Sequence, residues 1–341
     1  MIDTRIVYGL MTAFLRAFAV GVFAGPKIIA FLKSRKMDQK ISEDVPEHMA
    51  KASTPAMGGL IFLLAAAVGS VALLFLRGDS APAWTQLWGV LVLTAAYALL
   101  GFVDDLLTIR PVGKMRGISS KPKAALQMLF AALFVWWNYS MFGGPQIVIC
   151  GKVILAGIWY HIFCVLFIAG MANFVNLTDG LDGLAGGLGI ISLTAIVIAE
   201  LLSFDMFMNA PIFFFAAALA GGIAAFLWYN AYPAKVFMGD VGSLAIGVFL
   251  PAYGVVAHRE VFIVIAGMMF ILEGLSTTVQ WAVFKYTRIR TGTGRRVFKK
   301  SPVHHHFQLS GISETAISVR FWILGIVCAC VALGLVLTGR I

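Results

Sequence analysis

Long apolar runs alternate with short polar stretches along the whole chain. A helix needs about 20 mostly apolar residues to cross a membrane. The runs that approach this length predict ten spans, at residues 6–32, 55–76, 84–104, 121–141, 153–172, 184–203, 211–230, 241–257, 261–284 and 317–338. This pattern predicts an all-α polytopic integral membrane protein that forms a single domain over residues 1–341, with both termini on the same side of the membrane.

Composition agrees with a protein that lives in a lipid bilayer. Of the 341 residues, 60% are hydrophobic and only 12% are charged. About a quarter of the residues in a soluble globular domain are charged, so that class is excluded. The net charge is +10, but the basic residues flank the apolar runs and form no separate domain. We therefore expect the bilayer, and no nucleic acid, as the partner of these charges.

The basic residues also predict the orientation of the chain. Most of the 26 Lys and Arg residues lie in or beside the five loops of one side, which are 33–54, 105–120, 173–183, 231–240 and 285–316. Loops that are rich in Lys and Arg face the cytoplasm, so both termini are expected outside. On the outer side, two short β-prone runs flank Gly151 and predict a small β-hairpin.

One polar stretch between two apolar runs is the strongest candidate for a site. It reads N-F-V-N-L-T-D-G-L-D-G-L-A-G-G over residues 173–187. Asp179 and Asp182 are three residues apart, so one helical turn would place both on the same face. Ionisable residues next to hydrocarbon are functional candidates by default. The alternative is a polar loop between two helices, with an aspartate as N-cap.

A second group of charges lies around the next apolar run. Asp104 and Asp105 are adjacent carboxylates at the end of that run, and such a pair can bind Mg²⁺ or act as a base. The alternative is a solvated helix end, which the helix dipole disfavours. Lys121 and Lys123 follow at the next predicted helix start, where the dipole also opposes them. We expect these two lysines to face a bound anion.

Further candidates lie in the remaining loops of the same side. Asp240 is either a plain N-cap or a metal ligand, and Phe237 is either membrane-facing or a stacking platform for a base. The basic run before His304, His305 and His306 is mostly explained by the orientation rule and by anionic lipid. The histidines can donate to phosphate, bind metal or shuttle protons, and the alternative is a role in stabilising the fold. Lys51 could supply charge to a phosphate. Together these residue types predict phosphoryl transfer on a diphosphate, with Mg²⁺ or Mn²⁺ as cofactor.

Three motifs carry a resemblance to a known family. N-L-T-D-G-L-D-G-L-A at 176–185, F-M-G-D-V-G-S at 237–243 and S-P-V-H-H-H-F at 301–307 resemble the phospho-N-acetylmuramoyl-pentapeptide transferase family, within the polyprenyl-phosphate N-acetylhexosamine-1-phosphate transferase superfamily. The resemblance implies transfer of phospho-MurNAc-pentapeptide from UDP-MurNAc-pentapeptide to undecaprenyl phosphate, giving lipid I and UMP for peptidoglycan synthesis. It also implies ten spans and a homodimer in the bacterial cytoplasmic membrane, with the active site on the cytoplasmic face.

The resemblance assigns roles to individual positions. The expected metal ligand is Asp240, with Mg²⁺. The expected catalytic residues are Asp104, Asp105, Asp240, His304, His305, His306, Lys121 and Lys123. The expected substrate-binding residues, with Phe237 under the uracil, are Lys51, Asn173, Asn176, Asp179, Gly180, Leu181, Asp182, Asn230, Phe237 and Gln280.

Two positions depart from the pattern of the family. Ala56 stands where the family usually has threonine, and Thr108 stands where it has a lysine three residues after the aspartate pair. Arg110 is a nearby basic residue that could substitute for that lysine. Two alternatives remain open from the sequence. One is a sister enzyme that uses UDP-GlcNAc, and the other is a cation-coupled membrane transporter.

Overall fold

A computed structural model describes residues 4–37, 54–71, 81–111, 113, 116–144, 146–202 and 210–341, without the side chains of Arg5 and Ala210. The helices are, in chain order, α1 (Thr4–Ser34), α2 (Gly59–Ser70), α3 (Ala81–Ile109), α4 (Ser120–Phe142), α5 (Gly157–Thr178), α6 (Leu184–Leu202), α7 (Ala210–Asn230), α8 (Gly239–Ala257), α9 (Glu260–Ala266), α10 (Met268–Thr291), α11 (Val303–Gln308) and α12 (Glu314–Leu337). A two-stranded antiparallel sheet, β1 (Gln146–Ile149) and β2 (Lys152–Ala156), lies between α4 and α5. The predicted all-helical membrane protein and its hairpin are confirmed.

The helices account for most of the predicted spans. In the described residues, eight helices are long and apolar enough to cross a membrane. A ninth span results if α9 and α10, which meet at 76° around Gly267, are counted together. Helix α2 has only 12 residues, and residues 72–80 of the second predicted span lie outside the described part. The count of ten and the orientation of the termini remain predictions.

Several predicted loop boundaries are wrong because helices continue beyond their apolar runs. Helix α3 extends to Ile109, so Asp104 and Asp105 lie inside a helix. Helix α5 extends to Thr178, which places Asn173 and Asn176 on a helix and not in a loop. A polar residue does not end a helix whose backbone bonds continue, and its side chain here finds partners on neighbouring helices.

The core of the bundle is built around α8. This helix is buried continuously from Val241 to Val256, as expected for a helix that is apolar on all sides. Small residues let its neighbours approach closely. A Cβ added at Gly247 would lie 2.6 Å from the Ala172 Cα on α5, and one added at Gly242 would lie 2.8 Å from the Gly59 Cα on α2. This close packing fixes the position of the first turn of α8.

Candidate active site

Helices α3 and α8 cross in close backbone contact near Asp105 of α3 and Asp240 of α8. A Cβ added at Gly101 would lie 2.3 Å from the Asp240 carbonyl oxygen. One turn later, the carboxylate of Asp105 accepts hydrogen bonds from the Asp240 and Val241 N–H groups, each at 3.1 Å. A carboxylate at a helix N-terminus satisfies free N–H groups and is favoured by the dipole. Asp105 therefore caps α8 from a neighbouring helix.

This arrangement corrects the interpretation of Asp240 as a plain N-cap. The N-cap residue of α8 is Met238, and Asp240 lies in the first turn. Because Asp105 supplies the cap, the side chain of Asp240 is available for other contacts. Gly239 allows the tight entry into the helix, since its φ is +74° and a Cβ there would lie 2.6 Å from Asp105 Oδ2.

The segment before α2 holds the turn before α8 in place. The Gly58 N–H donates to the Phe237 carbonyl at 2.7 Å, and the Phe237 N–H donates to the Pro55 carbonyl at 2.8 Å. Gly59 adds a bond to the Met238 carbonyl at 2.9 Å. These bonds join residues 55–59, P-A-M-G-G, to the F-M-G-D-V-G-S motif at 237–243. The half-buried Phe237 is thus positioned through its backbone.

Lys123 of α4 lies between two carboxylates. Its Nζ is 3.1 Å from Asp104 Oδ2 and also contacts Asp240 Oδ2. The other oxygen of Asp104 accepts from the Ile118 N–H, and the other oxygen of Asp240 accepts from Asn176 Nδ2 at 2.8 Å. We call Asp104, Asp105, Asp179, Asp240 and Lys123 the carboxylate cluster. One ammonium group here bridges two carboxylates that the sequence places far apart.

Asp179 completes the cluster from the segment after α5. Its carboxylate accepts the Gly239 N–H, and it is half-buried near Asp240, Asp105 and Asp182. Burial raises the pKa of Asp179 well above its ordinary value, and the three neighbouring carboxylates add to this increase. Asn176, one turn earlier, also donates to Ser243 Oγ at 2.9 Å. The cluster is therefore an acidic environment that favours a cation.

Asp182 and Asn230 brace the loops that surround the cluster. Asp182 Oδ2 accepts from the Ala234 N–H at 2.9 Å, and Asn230 Oδ1 accepts from the Gly183 N–H at 2.9 Å. The buried Glu314 accepts from the Asp182 N–H at 2.6 Å. Asp182, Asn230 and Glu314 thus tie residues 180–183 to the loop after α7 and to the start of α12. The buried Leu181 packs in the same segment.

The three histidines lie on α11, next to this segment, but in different surroundings. His304 is fully buried, and its Nδ1 is 2.9 Å from Glu273 Oε2 on α10. His305 is half-buried, with its ring centroid 4.2 Å from that of His304. His306 points elsewhere, because its Nδ1 accepts from the Lys299 N–H at 3.2 Å and its ring packs on Phe298. The structure therefore brings His304 to the 179–183 segment, and the ring of His305 packs against that of His304.

Other predicted site residues make contacts away from the cluster. Asn173 Nδ2 donates to Gln127 Oε1 at 2.8 Å and so joins α5 to α4. Gln280 bonds to the backbone of residues 297 and 298. Lys121 is exposed at the start of α4. Arg110 donates to the Arg35 carbonyl at 3.1 Å, away from the position of the missing lysine. Lys51 lies outside the described residues.

Comparisons with known proteins agree with this geometry. The model of glycosyl transferase family 4 matches residues 87–258. Two proteins named phospho-N-acetylmuramoyl-pentapeptide-transferase, from Streptococcus pyogenes serotype M12 (strain MGAS2096) and serotype M2 (strain MGAS10270), are each 37% identical over 307 residues, which is 89% of this chain and 89% of each relative. The chain belongs to the phospho-N-acetylmuramoyl-pentapeptide-transferase family. The family indicated by the three sequence motifs is confirmed.

The match to glycosyl transferase family 4 covers the part of the chain that builds the carboxylate cluster. Residues 87–258 include α4, α5 and α8 in full and the part of α3 that carries Asp104 and Asp105. The histidines of α11 and their partner Glu273 lie beyond the matched range. The site thus combines the helices shared by glycosyl transferase family 4 with a C-terminal part, from α10 to α12, that packs onto the 179–183 segment.

The donor atoms of the cluster fit a hard divalent cation. Within the described parts of the chain, no group of three or more His, Cys, Asp or Glu side chains is arranged as a metal site. Mg²⁺, however, commonly uses one or two carboxylates together with waters and substrate phosphates. The Lys123 ammonium is a cation held between Asp104 and Asp240, which shows that a positive charge is favoured there. Asp240 fits as the metal ligand if Lys123 moves aside.

Sequence reasoning missed Glu273, Ser276 and Glu314. Each is buried; Glu273 and Ser276 contact α11, and Glu314 contacts the 180–183 segment. Glu273 carried a usable signal, because it is the single charged residue in the apolar run 261–284 and such residues are functional candidates. Ser276 and Glu314 carried none, since serine is ordinary in membrane helices and Glu314 follows Ser313 at an unremarkable helix start.

Proposed function

We propose that this protein transfers phospho-MurNAc-pentapeptide from UDP-MurNAc-pentapeptide to undecaprenyl phosphate and thereby produces lipid I and UMP for peptidoglycan synthesis. The names and coverage of the relatives support this reaction. The observation that carries it in the structure is Lys123, held between Asp104 and Asp240 in the carboxylate cluster. Phosphoryl transfer depends mainly on positioning and on charge neutralisation, and this cluster supplies both.

Within the cluster, the residues differ in what they can do. Both oxygens of Asp105 already accept N–H groups of α8, so Asp105 positions Asp240 and the turn before it. Asp104 has one oxygen on the Ile118 N–H and the other on Lys123, and we assign to it the deprotonation or orientation of the lipid phosphate once Lys123 moves. Lys123 then leaves the carboxylates for a phosphate oxygen, which an ammonium can bind as a point charge. Asn176 holds the remaining oxygen of Asp240 in place.

Mg²⁺ is the proposed cofactor, with Mn²⁺ as a substitute, and Asp240 is its proposed ligand. When bound, the metal would neutralise charge on the diphosphate and on the departing UMP. Phe237 is proposed to lie under the uracil, since its position is fixed by the backbone bonds to Gly58 and Pro55. His304, His305 and Lys121 are proposed to contribute to the diphosphate region.

The setting of the reaction follows from the two substrates. Undecaprenyl phosphate resides in the bilayer, whereas a nucleotide sugar is soluble, so the cluster must lie at a membrane surface. We propose the cytoplasmic face of the bacterial inner membrane, in line with the Lys and Arg excess of the loops that carry the cluster. A homodimer is proposed from the resemblance alone.

One experiment tests the reaction. Purified protein receives undecaprenyl phosphate and Mg²⁺ together with either UDP-MurNAc-pentapeptide or UDP-GlcNAc, and both UMP and radiolabelled lipid product are measured. We expect UMP and lipid I with the first nucleotide only. Product from UDP-GlcNAc alone would indicate the sister enzyme. Cation-driven flux in proteoliposomes without UMP release from either nucleotide would indicate a transporter and refute the proposal.

A further inference from the structure

The buried pair of Glu273 and His304 is a second polar centre next to the carboxylate cluster. Both side chains have no exposed surface, and Glu273 Oε2 lies 2.9 Å from His304 Nδ1. Burying a carboxylate in a protein interior is costly even when it is paired. A hydrophobic pair of similar volume would pack α11 onto α10 at least as well. The pair therefore points to a role beyond packing.

The contact selects one state of the imidazole. An ionised carboxylate can only accept hydrogen bonds, so a neutral His304 carries its proton on Nδ1. Nε2 is then left with a lone pair that can accept a hydrogen bond. A carboxylate behind a histidine commonly acts in this way to fix the tautomer and the ring orientation.

The remaining polar atoms of the pair have no partner among the described residues. These atoms are His304 Nε2 and Glu273 Oε1. Nε2 faces the 179–183 segment, since a Cβ added at Gly180 would lie only 2.4 Å from it. The absence of a side chain at Gly180 is what lets the ring nitrogen approach that segment. A buried nitrogen without a partner costs free energy of folding. Such a nitrogen is typical of a group that interacts with a ligand.

Neighbouring contacts hold the ring in this position. The buried hydroxyl of Ser276, one turn after Glu273, accepts from the Val303 N–H at 3.0 Å and donates to the Glu273 carbonyl at 2.6 Å. Helix α10 thus fixes both the first residue of α11 and the ring of the second. The half-buried ring of His305 packs edge-on against that of His304. An error in the orientation of His304 would therefore be transmitted to His305.

We propose that Glu273 is a positioning residue that acts through His304. It holds the tautomer with Nδ1 protonated, directs Nε2 towards Gly180 and orients the ring of His305 at the site. This inference rests on the proposed transfer reaction, in which the histidines serve the diphosphate region. Glu273 itself contacts neither substrate nor metal, and no role was assigned to it from the sequence.

The experiment combines spectroscopy with kinetics. In protein labelled with ¹⁵N-histidine, the His304 signals are identified by their loss in His304→Gln. We expect His304 of the wild type to carry the Nδ1 proton and to lose this preference in Glu273→Gln. Signals that show an Nε2 proton in the wild type would overturn the proposal. This measurement needs no turnover, so it gives a result even if the protein makes no lipid I.

Kinetics separate a positioning role from a structural one. We expect Glu273→Gln to lower kcat by on the order of tenfold to a hundredfold, to shift the pH profile of kcat and to leave KM for the nucleotide sugar unchanged. Glu200→Gln is the matched control, because Glu200 is a buried carboxylate that is bonded to Tyr253, outside the cluster. We expect normal turnover for this control.

A double-mutant cycle decides whether Glu273 acts through His304. If it does, adding Glu273→Gln to His304→Gln costs no further activity. Additive losses would refute the proposal, and so would a folded Glu273→Gln with the kcat and pH profile of the wild type. Thermal unfolding in detergent verifies the fold of each variant. If His304→Gln does not fold, the tautomer of the wild type, assigned through Glu273→Gln, still tests the proposal.

Discussion

Lys123 Nζ contacts Asp240 Oδ2 and lies 3.1 Å from Asp104 Oδ2, so one lysine joins α4 to α3 and α8. All three side chains are largely buried, with 15% of Lys123, 14% of Asp104 and 21% of Asp240 exposed. At such burial, a charge without a partner is strongly destabilising. The Lys123 ammonium therefore stabilises the folded state in addition to its proposed role in the reaction. A divalent cation bound by Asp104 and Asp240 can supply the same stabilisation.

The first prediction concerns the removal of this ammonium. Lys123→Met leaves Asp104 and Asp240 without their shared cation, and we expect a loss of about 3 kcal/mol in unfolding free energy. Mg²⁺ should recover part of this loss, because the metal can replace the ammonium between the carboxylates. Thermal unfolding in detergent, with EDTA and with increasing Mg²⁺, measures both effects. Lys152→Met, on the exposed hairpin, is the control for the loss of one positive charge.

A larger stabilisation by Mg²⁺ in Lys123→Met than in the wild type supports competition between lysine and metal for one position. Equal Mg²⁺ responses in the two proteins would show that the metal binds elsewhere. This readout depends on stability alone, so it remains informative when the variant has lost its transferase activity.

The second prediction concerns the proposed metal ligand. Asp240→Asn retains the shape of the side chain and the cap of α8, because Asp105 provides that cap. Losing a directly engaged charge typically costs about 3 kcal/mol in the transition state, on the order of 10² in rate. We expect this decrease in UMP release and partial recovery at raised Mg²⁺. Rates like those of the wild type at every Mg²⁺ concentration would remove Asp240 from the site.

The sequence predicts the membrane helices better than any other part of this fold. A span is a run of apolar residues with a defined length, and the hairpin around Gly151 has its own local pattern. Helix ends were predicted less well, since Asn176 and Asp104 continue their helices while their side chains bond to distant residues. The break of α9 and α10 at Gly267 carried no signal that distinguishes it from other glycines in apolar runs.

The candidate site was predicted at the level of residue types but not of contacts. Asp104, Lys123 and Asp240 were singled out because charged residues are rare beside apolar runs. Their shared contact could not be predicted, since it depends on the crossing of α3 and α8 at Gly101. For the same reason, the sequence could not show that Asp105, and not Asp240 itself, interacts with the N–H groups of α8.

The third prediction concerns pH and the hairpin end of the bundle. His258 follows α8 with a φ of +52°, and partial desolvation of its largely exposed side chain lowers its pKa below the ordinary value of 6.5. The unfolded chain therefore takes up a proton more readily, and the stability due to neutral His258 is lost as pH falls below 6.5. His258→Asn tolerates the left-handed backbone. We expect its unfolding temperature to change less than that of the wild type between pH 7.5 and 5.5, and parallel curves would contradict this.

The fourth prediction concerns the glycine that faces His304. In Gly180→Ala the new methyl group would lie 2.4 Å from His304 Nε2, so the ring or the 179–183 segment must shift. Such overpacking costs about 1–3 kcal/mol, and lipid I formation should fall because His304 and Asp179 move apart. Gly170→Ala on α5 is the control, since nothing lies within 4 Å of its added Cβ and alanine favours a helix. Normal stability and turnover in Gly180→Ala would show that His304 does not lie against the segment.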